Sequence, residues 1–409
     1  METTSQIGPH PLSDSDRAVS AHDPLELLPF IVPLALTHIA FTGARVGLSL
    51  QAIQFGASGF QVGLIVSLLA ALPLVLSVPM GRINDRIGDR LPGAVSMGIV
   101  AAGCVLVYWT HSLPLLFGCS VIIGLGFMGA HLSMNNAVGK AAAPEQRTRA
   151  YSLVALGFSI ASVCGPLFMG FGIDWLGHGT AFLALATFPV LALAIGLSLQ
   201  VERAVPQPAT AAQGSRRVLD LLRYQPLQRA FLMGTLCSMG WDMFAFLVPL
   251  EGTRIGLSAS TIGLIMSSFA VATFLVRLAL PRMVASTGEF TVMGVSMMAV
   301  AVLYMLWPMF HNPYVLVGLA FALGLTLGVA QPLVMSIVHS AAPESRSGEA
   351  VGIRVTIMSG SQTFLPLTFG GLSAAVGTAG PLFWGFGLLM GGVGLAVLRW
   401  GKSEREQES

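Results

Sequence analysis

Asp242 is the only acidic residue near the middle of any apolar stretch of this chain, and Arg45 lies where the other half of the chain would answer it. A carboxylate beside a guanidinium stays ionised, whereas one left alone among apolar groups takes up a proton. A pair that can be made and broken therefore suits proton coupling or recognition of a charged ligand. His38, Thr42, Arg45 and Ser49 fall at i, i+4, i+7 and i+11, one polar stripe on an otherwise apolar helix. His131 and Asn135 repeat the i, i+4 spacing, and Asn136 follows. Gln331, Ser361 and Gln362 are neutral hydrogen-bonding groups in apolar surroundings, and Trp241 and Phe364 offer flat walls. Arg45, Asp242, His38, Thr42, His131, Asn135, Trp241, Gln331 and Gln362 are thus the candidate substrate or coupling residues. The alternatives are a structural ion pair, packed histidines and aromatics that only join helices.

The elements that position these residues are membrane-spanning helices. Hydrophobic residues make up 54% of the chain and charged residues 10%, against roughly 25% charged in an ordinary soluble domain. So apolar a chain must meet lipid. A charge at the bilayer centre costs about 2.5–3.5 kcal/mol on insertion scales, so the few present there need a reason. Apolar stretches of bilayer length are expected at 27–51, 59–80, 91–111, 114–138, 150–174, 178–200, 229–251, 257–280, 290–310, 313–337, 350–374 and 378–400. Residues 1–26 read as a disordered cytoplasmic tail without the pattern of a cleaved signal. Residues 201–228 read as a polar linker and 401–409 as a second tail. Cys104, Cys119, Cys164 and Cys237 show no ligand or CxxC spacing and read as small buried hydrophobes. No metal, cofactor or nucleic-acid partner is expected.

The chain nearly repeats itself. Val62-Gly63-Leu64-Ile65 recurs as Ile262-Gly263-Leu264-Ile265, and Ala142-Ala143-Pro144-Glu145 as Ala341-Ala342-Pro343-Glu344. Gly56-Ala57-Ser58 matches Gly256-Leu257-Ser258, and Gly88 matches Gly288. Two equivalent six-helix bundles, 27–200 and 229–400, follow, with a site between them. The repeat sets Arg45 and Asp242 at similar depth on equivalent helices. Of the 21 Lys and Arg residues, Arg45, Arg277 and Arg354 lie within spans and Arg254 on one side; the rest fall in the tails or in loops after even-numbered spans. That bias puts both termini in the cytoplasm. Trp109, Trp175, Trp307 and Trp400 stand near span ends, where an aromatic belt is expected.

Between spans 2 and 3 the chain reads Gly81-Arg82-Ile83-Asn84-Asp85-Arg86-Ile87-Gly88-Asp89-Arg90. This resembles the signature loop of the major facilitator superfamily, departing at Asp89, where the family usually has a base. The resemblance implies an all-α membrane protein of twelve helices in two pseudo-symmetric bundles, working by alternating access. It implies that Asp85 caps span 11 at its cytoplasmic start, and that Gly81, Arg86, Gly88 and Arg90 shape and hold the gate. Arg354 reads as a structural cation of the same gate. Gly165-Pro166 with Gly170 and Gly172 in span 5 is similar to, but one residue out of step with, an exporter signature. Span 4 lacks the arginine many proton-coupled exporters carry.

The expected function is proton-coupled efflux of a drug-like compound or metabolite across a bacterial-type inner membrane, by a monomer with no catalytic residues. Uptake of a small organic anion, with Arg45 as counter-ion, is the second reading. A transport-dead sensor and a membrane-embedded enzyme are more remote, since no catalytic set is present.

Overall fold

Two serines start equivalent helices one half apart. Ser58 accepts from the Gln61 amide while its own amide donates to Gln61 Oε1, a capping box. Ser258 accepts likewise from the Thr261 amide. Each cap follows a glycine of positive φ, Gly56 at 75° and Gly256 at 79°, and each helix ends at another, Gly88 at 86° and Gly288 at 82°. The sequence repeat is therefore a repeat of turns as well as of apolar faces. The computed structural model describes residues 27–141, 147–198, 218–342, 347–376 and 380–408.

The first half comprises α1 Leu28–Gln54, α2 Gly59–Ile87, α3 Arg90–Tyr108, α4 Leu113–Ala141, α5 Arg147–Leu176 and α6 His178–Ser198. The second comprises α7 Gln225–Arg254, α8 Ala259–Thr287, α9 Glu289–Leu306, α10 Pro313–Leu327, α11 Ala330–Ala341, α12 Ser347–Val376 and α13 Gly380–Glu408. No strand occurs among the described residues. Within the first half α1 packs on α4, α5 and α6, and α3 on α4 and α6; in the second, α9 packs on α13 and α8 on α10. The halves meet along α2–α12 and α5–α8, with α1 and α7 crossing between. The expected tail 1–26 and most of the linker lie outside the described residues. The second half begins at Gln225, and α13 continues to Glu408.

Eleven helical stretches among the described residues are long and apolar enough to cross a membrane. The expected twelfth is α12, whose Arg354, Thr356, Ser359, Ser361 and Gln362 dilute its hydropathy; it pairs with α2 as α5 pairs with α8. The expected span 313–337 is two helices, α10 and α11, broken at Gly328-Val329. There the chain presses onto α8, where a Cβ on Gly328 would lie 2.7 Å from Val276. The break is served from α8: Thr273 Oγ1 donates to Gly324 O (3.3 Å) and Arg277 Nε to Gly328 O (3.5 Å). A helix broken with its carbonyls satisfied is stable in lipid. Large apolar side chains such as Leu191, Leu278 and Leu388 point outward, as lipid permits. Two sequence readings are corrected here. Cys164 is exposed, unlike the other three cysteines, and Trp307 is buried in the core, stacked on Phe383, away from any belt.

The closed end of the molecule is the one remote from the chain termini. A Cβ on Gly63 of α2 would collide with Pro366 O of α12, and one on Gly263 of α8 with Pro166 O of α5. Gly370 meets Gly59, and Gly170 meets Ala259. Pro-x-x-x-Gly on one helix thus sits in a small-x-x-x-small notch on the other, twice, at positions 200 residues apart. Bonding is less symmetric than shape. In the α5–α8 seam Asp174 accepts from Ala259 N (3.1 Å) and Ser260 N (2.8 Å), and Ser267 Oγ donates to Val163 O (2.7 Å). In the α2–α12 seam the equivalent serine, Ser67, is buried with its hydroxyl unpartnered, and position 374 is alanine.

Asp174→Asn is expected to weaken this closure. A carboxylate at a helix N-terminus contributes about 0.5–1.5 kcal/mol through its charge and bonds, so the closed population should fall roughly two- to tenfold. Spin labels at His111 and His311, in the short loops of the closed end, report it as a broadened distance distribution. An unchanged distribution would remove the carboxylate from the gate.

Candidate functional site

Arg45 and Asp242 stand together. Where α1 crosses α7, Arg45 Nη2 lies 3.5 Å from Asp242 Oδ1. Asp242 is 2% exposed and Arg45 21%. The pair is incompletely satisfied: Asp242 Oδ2 and Arg45 Nε are both buried without a hydrogen-bond partner. A single, stretched contact of this kind can be broken without dismantling a network. Each partner sits on a helix of a different half, so the contact reports how the halves are placed. Tyr304 of α9, which sequence reasoning missed, is fully buried and donates to Gly240 O, bracing α7 just before Asp242. Its only sequence signal is a lone tyrosine in an apolar run.

The rest of the α1 stripe divides. Ser49 Oγ donates to Arg45 O (3.0 Å), a bond within the helix. Thr42 Oγ1 lies 3.0 Å from Ala161 O on α5 and 3.0 Å from His38 O, and Gly165 leaves it room. Thr42 therefore joins α1 to α5. His38 and His131 enter an aromatic cluster: His38 lies 4.6 Å from Phe158 and 5.3 Å from Phe127, ring centre to ring centre, and His131 lies 5.2 Å from Phe158. Phe41 stacks on Phe127 at 3.8 Å. Asn135 Nδ2 donates to His131 O (2.8 Å). The rings are half-buried and in mutual contact, so the histidines belong to an aromatic group apart from the ion pair.

Across the crossing point, Trp241, Gln331 and Arg354 line one cleft between α7, the α10–α11 break and α12, together with Ser238 and Val334. Trp241 meets Phe269 edge-on at 4.7 Å, which fixes its plane. Gln362 and Phe364 are exposed on α12 and join neither this cleft nor the ion pair.

The loop expected to form the gate is rearranged in its bonding. Gly88 makes the turn with positive φ. Gly81 is not tightly packed, since a Cβ there would meet Leu132 only at 4.0 Å. Asp85 and Arg86 are exposed, and the loop leading into span 11, residues 343–346, lies outside the described residues. The buried carboxylate of the loop is Asp89, 2% exposed, paired with Lys140 of α4 at 2.6 Å. Beside it Ser133 Oγ donates to Asn84 Oδ1 (3.1 Å), and Arg90 donates to Leu197 O at the end of α6. Position 89, where the sequence departs from the familiar pattern, thus ties α3 to α4. Asp89→Ala is expected to lower thermal stability by on the order of 1–2 kcal/mol, a buried-pair cost reduced because Lys140 is partly exposed. Asp85→Ala should cost less than half of that; equal losses in a detergent melt would contradict this placement.

A family model described as Major Facilitator Superfamily matches residues 30–250 and 230–409. The chain is 23% identical over 328 residues to the chromaffin granule amine transporter of Homo sapiens, covering 74% of this chain and 55% of that protein. It is 22% identical over 288 residues to the uncharacterized MFS-type transporter YfkF of Bacillus subtilis, covering 69% of this chain and 70% of that one. The chain thus spans only about half the length of the amine transporter. Among solved structures, a POT family transporter in complex with 5-aminolevulinic acid shares the fold, with a TM-score of 0.76 at 14% identity, covering 94% of this chain and 97% of the other. Two bundles meeting at an ion pair, and a family match running from α1 to the C-terminus, give one conclusion: the chain belongs to the Major Facilitator Superfamily.

Proposed function

We propose that this chain is a proton-coupled secondary transporter that exports a small, partly apolar molecule across an inner membrane, with both termini cytoplasmic. The observation that carries the reading is the Arg45–Asp242 contact at the crossing of α1 and α7, single, stretched and bridging the halves. Rocking the halves apart removes the guanidinium from the carboxylate, which then takes up a proton; bringing them together expels it. Proton affinity tied to conformation is what an exchanger requires. With the termini cytoplasmic, the closed seams lie on the far side of the membrane, and the described state faces inward. In that state a substrate enters from the cytoplasm, and proton entry resets the pair.

The second reading, uptake of an organic anion held by Arg45, is less well supported, because Arg45 already faces Asp242. The test begins with growth of an expressing and a deleted strain on a broad compound panel. Amines belong in it, since the similar human protein is named for them, as do organic acids. A compound tolerated better by the expressing strain is then loaded into proteoliposomes carrying an imposed pH gradient. Export reading predicts movement against the proton gradient that stops when the gradient is collapsed; movement indifferent to the gradient overturns the coupling.

A further inference from the structure

The second half holds a cation that no described carboxylate side chain answers. Arg354 lies on α12, where its Nη1 reaches only the thioether of Met335, at 3.7 Å, and its Nε is buried without a partner. No carboxylate among the described residues pairs with it, whereas Arg45 has Asp242 and Lys140 has Asp89. Arg277, the other cation at this depth in the second half, is answered by a helix-end carbonyl, Gly328 O. Arg354 is half-buried, so its guanidinium reaches the cleft and stays open to an anionic partner. Its surroundings are those of a binding site. It shares a cleft with Trp241, Gln331 and Ser238, and neither Gln331 nor Ser238 makes a side-chain hydrogen bond among the described residues. The lining follows helical spacing on both walls, with Gly234, Ser238 and Trp241 on α7 and Gln331 and Val334 on α11. Gln331 is exposed and forms the mouth.

We propose that this cleft binds an anionic group of the transported molecule, with Arg354 as its counter-ion. A carboxylate or similar oxyanion would accept from the guanidinium, the Gln331 amide and the Ser238 hydroxyl. The indole of Trp241 would cover an adjoining apolar or aromatic part. The ligand class is therefore a small organic anion with a hydrophobic body, and its counter-ion is Arg354, not Arg45. The proposal deepens the transport reading and rests on it only for the ligand being carried; binding itself needs no proton gradient.

The test uses the full chain in phosphatidylcholine nanodiscs, with Trp241 fluorescence as the signal and Trp241→Phe as its blank. Benzoate, benzylamine and benzyl alcohol share one ring and differ in charge. Benzoate is expected to give a saturable change at least tenfold tighter than either of the others. Arg354→Gln should weaken benzoate at least tenfold and leave benzyl alcohol unchanged, while Arg354→Lys retains part of the affinity. Binding is read with no pH gradient, so it is expected whether or not the proteoliposome assay shows coupling; this separates failure of the proton mechanism from failure of the anion site. If Arg354→Gln does not accumulate, Arg354→Lys and Gln331→Ala decide, each expected to weaken benzoate several-fold. Equal responses to the three probes, or wild-type benzoate affinity in the Arg354 and Gln331 variants, overturn the proposal. So does loss of the benzoate response on adding phosphatidylglycerol, which would make the natural occupant a lipid headgroup.

Discussion

Asp242→Asn is expected to abolish pH-driven transport, by at least tenfold in initial rate, while the protein still inserts. The asparagine keeps the size of the side chain and can still accept from Arg45, but it cannot bind and release a proton. Arg45→Ala should be worse for stability. It leaves a carboxylate that is 2% exposed without its partner, a loss of about 3–5 kcal/mol where a buried pair is broken from one side. Removing both, as Arg45→Ala with Asp242→Ala, should recover part of that stability without recovering transport. Melting of the two single variants and the double variant measures the coupling. If the double variant loses the sum of the single losses, the 3.5 Å contact carries no energy. If Asp242→Asn keeps wild-type accumulation, the carboxylate is structural and coupling belongs to His38 or His131.

The second large effect concerns the seams. A side chain at Gly63 must displace the backbone carbonyl of Pro366, and one at Gly263 that of Pro166. Backbone cannot yield as the end of a side chain can, so Gly63→Val should exclude the closed arrangement of this end. We expect flux to fall more than tenfold and a cysteine at His311 to stay reactive to impermeant reagent throughout the cycle. Gly263→Val should do the same from the other seam. Gly118→Ala and Gly318→Ala are the matched controls, since a Cβ at either meets nothing within 4 Å. Equal behaviour of the seam and control variants would mean that closure does not depend on this approach.

Much of the architecture was legible because it is written twice. The repeats at Gly56/Gly256, Gly63/Gly263 and Gly88/Gly288 became matching turns and contacts, and the offset set Arg45 opposite Asp242. One further repeat, Pro166-x-x-x-Gly170 against Pro366-x-x-x-Gly370, is present in the sequence, but only the folded seams show that both pairs are contacts. The polar stripe of α1 serves more than one neighbour. Spacing places residues on a face but not against a neighbour, and Thr42 turned out to serve α5. Arg354 read as a gate cation because it lies near a span end; only the missing partner and the company of Trp241 and Gln331 distinguish it. Asp89 read as a departure from a pattern, and its partner Lys140, some fifty positions away, had no local signal.

The unequal bonding of the two seams has a mechanical consequence. α5 and α8 are held by shape, by Asp174 over two amides and by Ser267; for α2 and α12 only close packing is seen among the described side chains, with the Ser67 hydroxyl left idle. A door fastened more firmly along one edge swings from that edge. The α5–α8 line is then the hinge, the α2–α12 line the free margin, and this end is expected to open past Gly63 and Pro366. Amide exchange offers a direct reading of this handedness: the first turn of α2 should exchange before the first turn of α8, although the two turns are built from nearly the same residues.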